Sequence, residues 1–161
     1  MAGILIYETP IRPEWIDYNG HVRDAYYGLI ASSACDALMD RIGVDAAYRA
    51  RTHCTLYTLE MHQHFLHEVK STERVSVTVT ILGADHKRIH AGFTLLSAPG
   101  GKAAATVEMM LLHVRQGERP GATPFPPEVA AAIAALAAAA PAAGFGPPSR
   151  ALALRPAAPP A

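Results

Sequence analysis

The sequence predicts an α+β domain in which an antiparallel sheet wraps one long helix. Three features carry that prediction. One extended stretch of helical period begins at Asp24; four β-patterned segments follow between residues 54 and 114; one extended segment precedes the helix. The resulting order is β-α-β-β-β-β. Wrapping the sheet around the helix is the simplest way to bury the apolar face of each.

Residues 4–12 (ILIYETPIR) read as the first strand. Pro10 marks an edge or a bulge there, because proline cannot donate to a central ladder. Residues 13–23 are polar and turn-like, with Asn19-Gly20 as a strong turn pair. From Asp24 the period changes. Tyr26, Leu29, Ile30, Ser33, Ala37, Leu38 and Ile42 recur at three- and four-residue steps, the pattern of a helix about 18 residues long with one broad apolar face. Its middle, ASSACDA, is made of small residues that let another backbone come close, and Gly43 is placed to end it. A short helical piece over 45–51 leads into strands at 54–66, 73–83, 87–97 and 103–114. In the second of these strands Val75, Val77, Val79 and Ile81 alternate onto one face, and Pro99-Gly100-Gly101 turns the chain between the last two.

Composition divides the 161 residues. Residues 1–119 form the predicted folded domain. Residues 120–161 carry only three charges, Glu128, Arg150 and Arg155, and include 17 alanines and 10 prolines. Within them, residues 120–141 contain an Ala-rich helix that Pro127 and Glu128 open and Pro141 closes; 142–161 form a Pro/Ala tail. Val129–Ala140 is too short to span a bilayer, which takes about 20 residues. Lys plus Arg and Asp plus Glu number 14 each, so no basic surplus points to nucleic acid, and no polybasic run points to a membrane surface. The two cysteines, Cys35 and Cys54, provide no disulfide framework. The opening MAGILIYETP lacks a signal peptide's basic region, so a cytoplasmic location is expected.

Chemistry concentrates just before the long helix. Asp17, Asn19, Gly20 and His21 lie within five residues, followed by a helix N-terminus whose free N–H groups favour negative charge. A carboxylate beside such a terminus suits a site where a carbonyl is polarised while the carboxylate attacks it or activates water. The plainer reading is a loop in which Asp17 and Asn19 cap their own backbone. Trp15, Tyr18, Tyr26 and Tyr27 surround this segment. Aromatic faces enclose quaternary ammonium groups, although core packing explains such residues equally well, Tyr26 above all. Glu60, His62 and His64 share one face of a strand and have the spacing of metal ligands; the plain alternative is a polar strand face. No metal and no cofactor is expected. Asp85-His86-Lys87-Arg88 reads as a solvated turn that could also meet a phosphate. Cys35 reads as an inert buried thiol.

The run Trp15-Ile-Asp17-Tyr-Asn-Gly20-His21-Val-Arg-Asp24-Ala-Tyr-Tyr27 resembles the D-x-x-G-H-V-x-[ND]-x-x-Y signature of the hotdog-fold acyl-CoA thioesterases related to 4-hydroxybenzoyl-CoA thioesterase. The likeness covers about residues 3–115. The stretches WIDYNGH, ALMDRIGVDAAYRA, TLYTLE and EMMLLHV, with the PFPP that follows, resemble the betainyl-CoA-hydrolysing branch of that family, which works in bacterial carnitine breakdown. The resemblance implies a hotdog fold and hydrolysis of an acyl-CoA, with betainyl-CoA giving glycine betaine and CoA. Other short or aromatic acyl-CoA substrates, or non-catalytic acyl-CoA binding, remain alternatives. By position, the catalytic carboxylate falls on Asp17, as nucleophile or general base. The carbonyl-polarising N–H falls near Asp24. Gly20 permits the tight approach, His21 shapes the loop, and Asn19 orients water or substrate. The signature's V-N-N stands here as Val22-Arg23-Asp24. A betainyl cation suits the aromatic faces of Trp15, Tyr18, Tyr26 and Tyr27, with Glu60, in the TLYTLE stretch of the resemblance, as candidate counter-charge. For CoA the available cations are Arg51, Lys70, Lys87 and Arg88. It also implies at least a homodimer, paired through the 54–66 strand.

Overall fold

A computed structural model describes residues 3–143 together with Phe145 and Gly146. The expected tail, 142–161, therefore lies outside the described residues except at 142, 143, 145 and 146. The chain forms β1 (Ile4–Pro10), α1 (Asp24–Arg41), α2 (Ala46–Thr52), β2 (Cys54–Phe65), β3 (Arg74–Ala84), β4 (Arg88–Ala98), β5 (Lys102–Arg115), the short β6 (Gly121–Ala122) and α3 (Pro127–Ala139). The strands join in one antiparallel sheet in the order β1-β3-β4-β5-β2, with β6 added beside β5. This is the wrapped sheet that the element order predicts and the hotdog architecture that the resemblance implies: a curled sheet on one long helix.

Alternation decides what the sheet buries. Val75, Val77, Val79 and Ile81 of β3, Ile89, Ala91, Phe93 and Leu95 of β4, and Val107, Met109 and Leu111 of β5 face inward and are buried. Pro10 ends β1, an edge strand that carries an irregularity between Leu5 and Tyr7. Gly43 closes α1 at φ +85°, a conformation open to glycine without steric cost.

One detail of α1 departs from expectation. Its buried stripe is Tyr27, Ile30, Ala31, Ala34, Cys35, Leu38 and Met39, whereas Leu29 is 48% exposed. The inward face is thus rotated towards the alanines. Small side chains let the helix axis approach the sheet closely, and that gain in close packing outweighs the burial of Leu29. Cys35 lies on this face, and burial pushes its thiol up to about 12, so it stays protonated and unreactive. The Ala-rich helix α3 packs on the same core through Val129, Ile133 and Leu136. Beyond it Phe145 lies on the outer side of the sheet over Gly92, where a Cβ would come 2.5 Å from the ring.

The α2 end of the sheet is pinned by a buried polar group. His113 is 1% exposed. Its Nδ1 lies 2.9 Å from the Thr123 carbonyl and 3.1 Å from that of Pro124, and its Nε2 lies 2.9 Å from the Tyr48 hydroxyl. Facing carbonyl oxygens, Nδ1 must carry the hydrogen, so Nε2 accepts from Tyr48. Tyr48→Phe leaves that nitrogen buried without a donor and is expected to cost about 1–3 kcal/mol. Urea unfolding measures it; an unchanged midpoint would mean the pair contributes nothing. No helix among the described residues is long and apolar enough to cross a membrane.

Candidate active site

The loop before α1 is a miniature hairpin held by its own backbone. Ile16 and Val22 form an antiparallel bridge, the Asp17 N–H donates to the His21 carbonyl at 2.9 Å, and the Gly20 N–H donates to the Asp17 carbonyl at 3.1 Å. Gly20 completes the turn at φ +80°. The hairpin is tied to the segment after β2: the Val22 N–H donates to the Val69 carbonyl at 2.8 Å, and His21 bridges to Lys70. Asp17 Oδ1 accepts from the backbone N–H groups of Asn19 at 2.8 Å and His21 at 3.3 Å. The loop-capping reading is therefore realised in the structure. It does not exhaust the carboxylate, since no hydrogen bond to Oδ2 occurs among the described residues.

The start of α1 leaves a donor open. Arg23 occupies the N-cap without a side-chain cap, and its own N–H donates to the Trp15 carbonyl at 2.9 Å. The Ala25 N–H is taken by Asp24 Oδ1 at 2.8 Å and the Tyr26 N–H by the Arg23 carbonyl at 3.0 Å. The Asp24 N–H has no acceptor among the described residues, at the end of the helix where partial positive charge gathers.

These groups border a cavity of about 320 Å³. That size is within the usual range for small-ligand sites, roughly 300–1,000 Å³. From the pre-helix segment and α1 it is lined by Asp17, Asn19, His21, Val22, Asp24 and Tyr27. From the end of β2 and the turn after it come Phe65, Leu66, His67 and Glu68. Tyr27 and Phe65 meet edge to face, with ring centroids 5.3 Å apart. The Tyr27 hydroxyl donates to the His67 carbonyl at 3.4 Å, and His21 Nε2 lies 3.3 Å from the Glu68 carboxylate. Burial pushes the Tyr27 phenol up, and the negative charges of Glu68, Glu73 and Asp17 push it the same way, against a backbone hydrogen bond at Val69. Among the described residues, three carboxylates and no lysine or arginine line the cavity, so its lining charge is negative.

The structure thus gathers Asp17, Asn19, His21, Asp24 and Tyr27 and separates the other expected acyl-site residues. Gly20 shapes the turn but does not line the cavity. Trp15 is buried and stacked on Tyr26 at 5.7 Å, with the Arg12 guanidinium 5.2 Å from the ring centroid. Tyr18 is 95% exposed. Glu60 lies on the opposite face of the sheet. There it is hydrogen-bonded to His62 and, with His90 and Glu108, lines a separate cavity of about 170 Å³. The bulge at Leu59 fixes this: Glu60 pairs with Met110 and Met61 with Met109, so Met61, Gln63 and Phe65 face α1 while Glu60, His62 and His64 face away. Among the described residues no three acidic, histidine or cysteine side chains converge on a metal position.

The expected CoA cations divide between the two ends of the sheet. Lys70 lines a neighbouring cavity of about 460 Å³ that also contains Lys102 and shares Leu66, His67 and Glu68 with the first. Arg51 stands 5.8 Å from the Tyr48 ring centroid, and Arg88 forms an ion pair with Asp85, whose carboxyl is held well below the usual range chiefly by the backbone N–H of Lys87 and by the Arg88 side chain. Registers place Arg51, Lys87 and Arg88 at the Cys54 end of β2, away from Phe65. Phe65, Leu66, His67 and Glu68, which the sequence did not single out for the acyl site, also line this cavity. Their signal was topological: α1 and β2 run back on each other, so the end of β2 returns to the start of α1.

Comparison with known proteins places the chain in a family. Residues 11–133 match the model of the Thioesterase-like superfamily. The chain is 50% identical over 131 residues to a betainyl-CoA thioesterase of Pseudomonas aeruginosa, covering 81% of this chain and 82% of that protein. It is 41% identical over 109 residues to an L-carnitine dehydrogenase/betainyl-CoA thioesterase of Agrobacterium fabrum, 68% of this chain but 22% of that longer protein. Among solved structures, a candidate thioesterase of Pseudomonas putida aligns with a TM-score of 0.79 and 39% identity over 97% of this chain and 99% of its own. A Staphylococcus aureus protein in complex with CoA aligns with a TM-score of 0.84 and 28% identity over 96% and 98%.

Proposed function

The chain belongs to the thioesterase-like superfamily, and from that premise we propose that it is an acyl-CoA thioesterase that hydrolyses betainyl-CoA to glycine betaine and CoA. The observation that carries the reading is the cavity in which the Asp17 carboxylate, the open Asp24 N–H and a negative field meet. A thioester is already activated, so a placed carboxylate and one polarising donor at a helix terminus are chemically sufficient.

In the proposed reaction the thioester carbonyl oxygen takes the Asp24 N–H, which stabilises the negative charge that develops there. Asp17 either attacks the carbonyl carbon or draws a proton from the water that does. The new C–O bond forms, the C–S bond breaks, and CoA leaves as the thiolate and takes up a proton. Direct attack adds a mixed anhydride, which water then opens. His21 and Asn19 hold the Asp17 turn in shape.

The test is thiol release from betainyl-, acetyl-, butyryl- and 4-hydroxybenzoyl-CoA. The proposal expects betainyl-CoA to have the highest kcat/KM; a neutral or aromatic ester turned over best would replace the substrate.

A homodimer belongs to the same proposal. β2 is an edge strand, and it exposes Leu59, Met61 and Phe65 along a row of unpaired backbone groups. Antiparallel pairing of two β2 edges would bring the Cys54 end of one copy to the Phe65 end of the other. The partner subunit's Arg51, Lys87 and Arg88 would then approach this protomer's cavity, joining Lys70 around the CoA phosphates. Light scattering should give about twice the 17.1 kDa chain mass, and a species of 17.1 kDa alone at micromolar concentration would contradict the dimer.

A further inference from the structure

We propose that Glu68, with Phe65 and Tyr27, selects the cationic acyl group, an inference that rests on the betainyl-CoA reading. A quaternary ammonium has no N–H to donate. It must be held by aromatic faces and by a carboxylate acting through space. Of the residues that the sequence suggested for this, Tyr27 lines the cavity but three others are placed elsewhere: Arg12 already sits over Trp15, Tyr18 projects into solvent, and Glu60 is on the far face of the sheet. Among the described residues, Tyr27 and Phe65 bring the benzene-type rings that line the cavity, in edge-to-face contact. The carboxylates there are Asp17, Asp24 and Glu68. Asp17 is committed to the reaction, and Asp24 Oδ1 is turned back onto its own helix at the Ala25 N–H. Glu68 is the one left to face the far end of the acyl group.

Glu68 is 74% exposed along its side chain, and His21 Nε2 lies 3.3 Å from its carboxylate. Its charge also reaches Tyr27, whose phenol it helps to raise. A trimethylammonium against the Tyr27 and Phe65 rings therefore lies within the field of this carboxylate. A neutral group of the same shape would fill the same space without that attraction, so Glu68 discriminates by charge rather than by size.

The test compares betainyl-CoA with 3,3-dimethylbutyryl-CoA, which replaces the quaternary nitrogen by carbon. Wild-type protein should prefer the cation. Glu68→Gln, an exposed substitution that keeps shape, should lower the betainyl-to-dimethylbutyryl ratio of kcat/KM about tenfold, mostly through KM, with Glu68→Asp restoring most of it. Phe65→Leu should lower the same ratio. A wild-type preference that survives Glu68→Gln would overturn this inference and leave the substrate assignment standing. Wild-type protein without a preference for the cation would overturn the substrate assignment itself.

Discussion

Asp17→Asn should lower kcat for thiol release about 10²- to 10⁴-fold, the usual contribution of a positioned acid–base or nucleophilic carboxylate. The substitution is a clean one. Asp17 Oδ1 accepts the Asn19 and His21 N–H groups, and an amide oxygen at the same position can still accept both, though more weakly. The Ile16–Val22 bridge and the Val22–Val69 hydrogen bond do not involve the side chain. The turn should therefore survive with a little-changed melting temperature, while nucleophilicity and basicity are lost together. Kinetics beside thermal melting separate the two possibilities. A variant that melts like the wild type and still turns over within about threefold of it would remove Asp17 from the chemistry and leave it as a loop cap.

Leu38→Ala should be the most damaging single truncation on the helix. Leu38 is fully buried on the face of α1 that meets the sheet, with Ile30, Ala31, Ala34 and Cys35. Ala31 and Ala34 have already brought the helix close to the sheet, so little further collapse is open to fill the space. Deletions of this kind cost about 2.7–5.0 kcal/mol. At roughly 2–4 °C per kcal/mol for a chain of this size, the melting temperature should fall by about 5–20 °C. A fall of less than about 2 °C would mean that the packing of α1 tolerates a void at its centre.

The sequence reading located the elements because each boundary has a local physical cause. Gly43 ends α1 through a left-handed backbone, Asn19-Gly20 turns the loop, and alternating valines make β3 recognisable by period alone. It placed the buried stripe of α1 too close to Tyr26 and Leu29, because periodicity counts apolar residues, whereas close packing selects small ones. The site was half legible. Asp17, Asn19, His21, Asp24 and Tyr27 are neighbours in sequence and line one cavity. Phe65 to Glu68 reach that cavity only through the return of β2, which single-sequence patterns do not encode. Trp15 and Glu60 show the converse, expected at the site but not lining that cavity. Each has the right chemistry for an ammonium, but stacking beneath Arg12 and the bulge at Leu59 direct them elsewhere.

The most direct test of where this protein does its chemistry is a crystal structure of Asp17→Asn with betainyl-CoA bound. The thioester carbonyl oxygen should lie within hydrogen-bonding distance of the Asp24 N–H, with the trimethylammonium against Tyr27 and Phe65 and beside Glu68. An acyl group found instead on the opposite sheet face near Glu60 and His62, or beside Tyr48 and Arg51, would contradict the account.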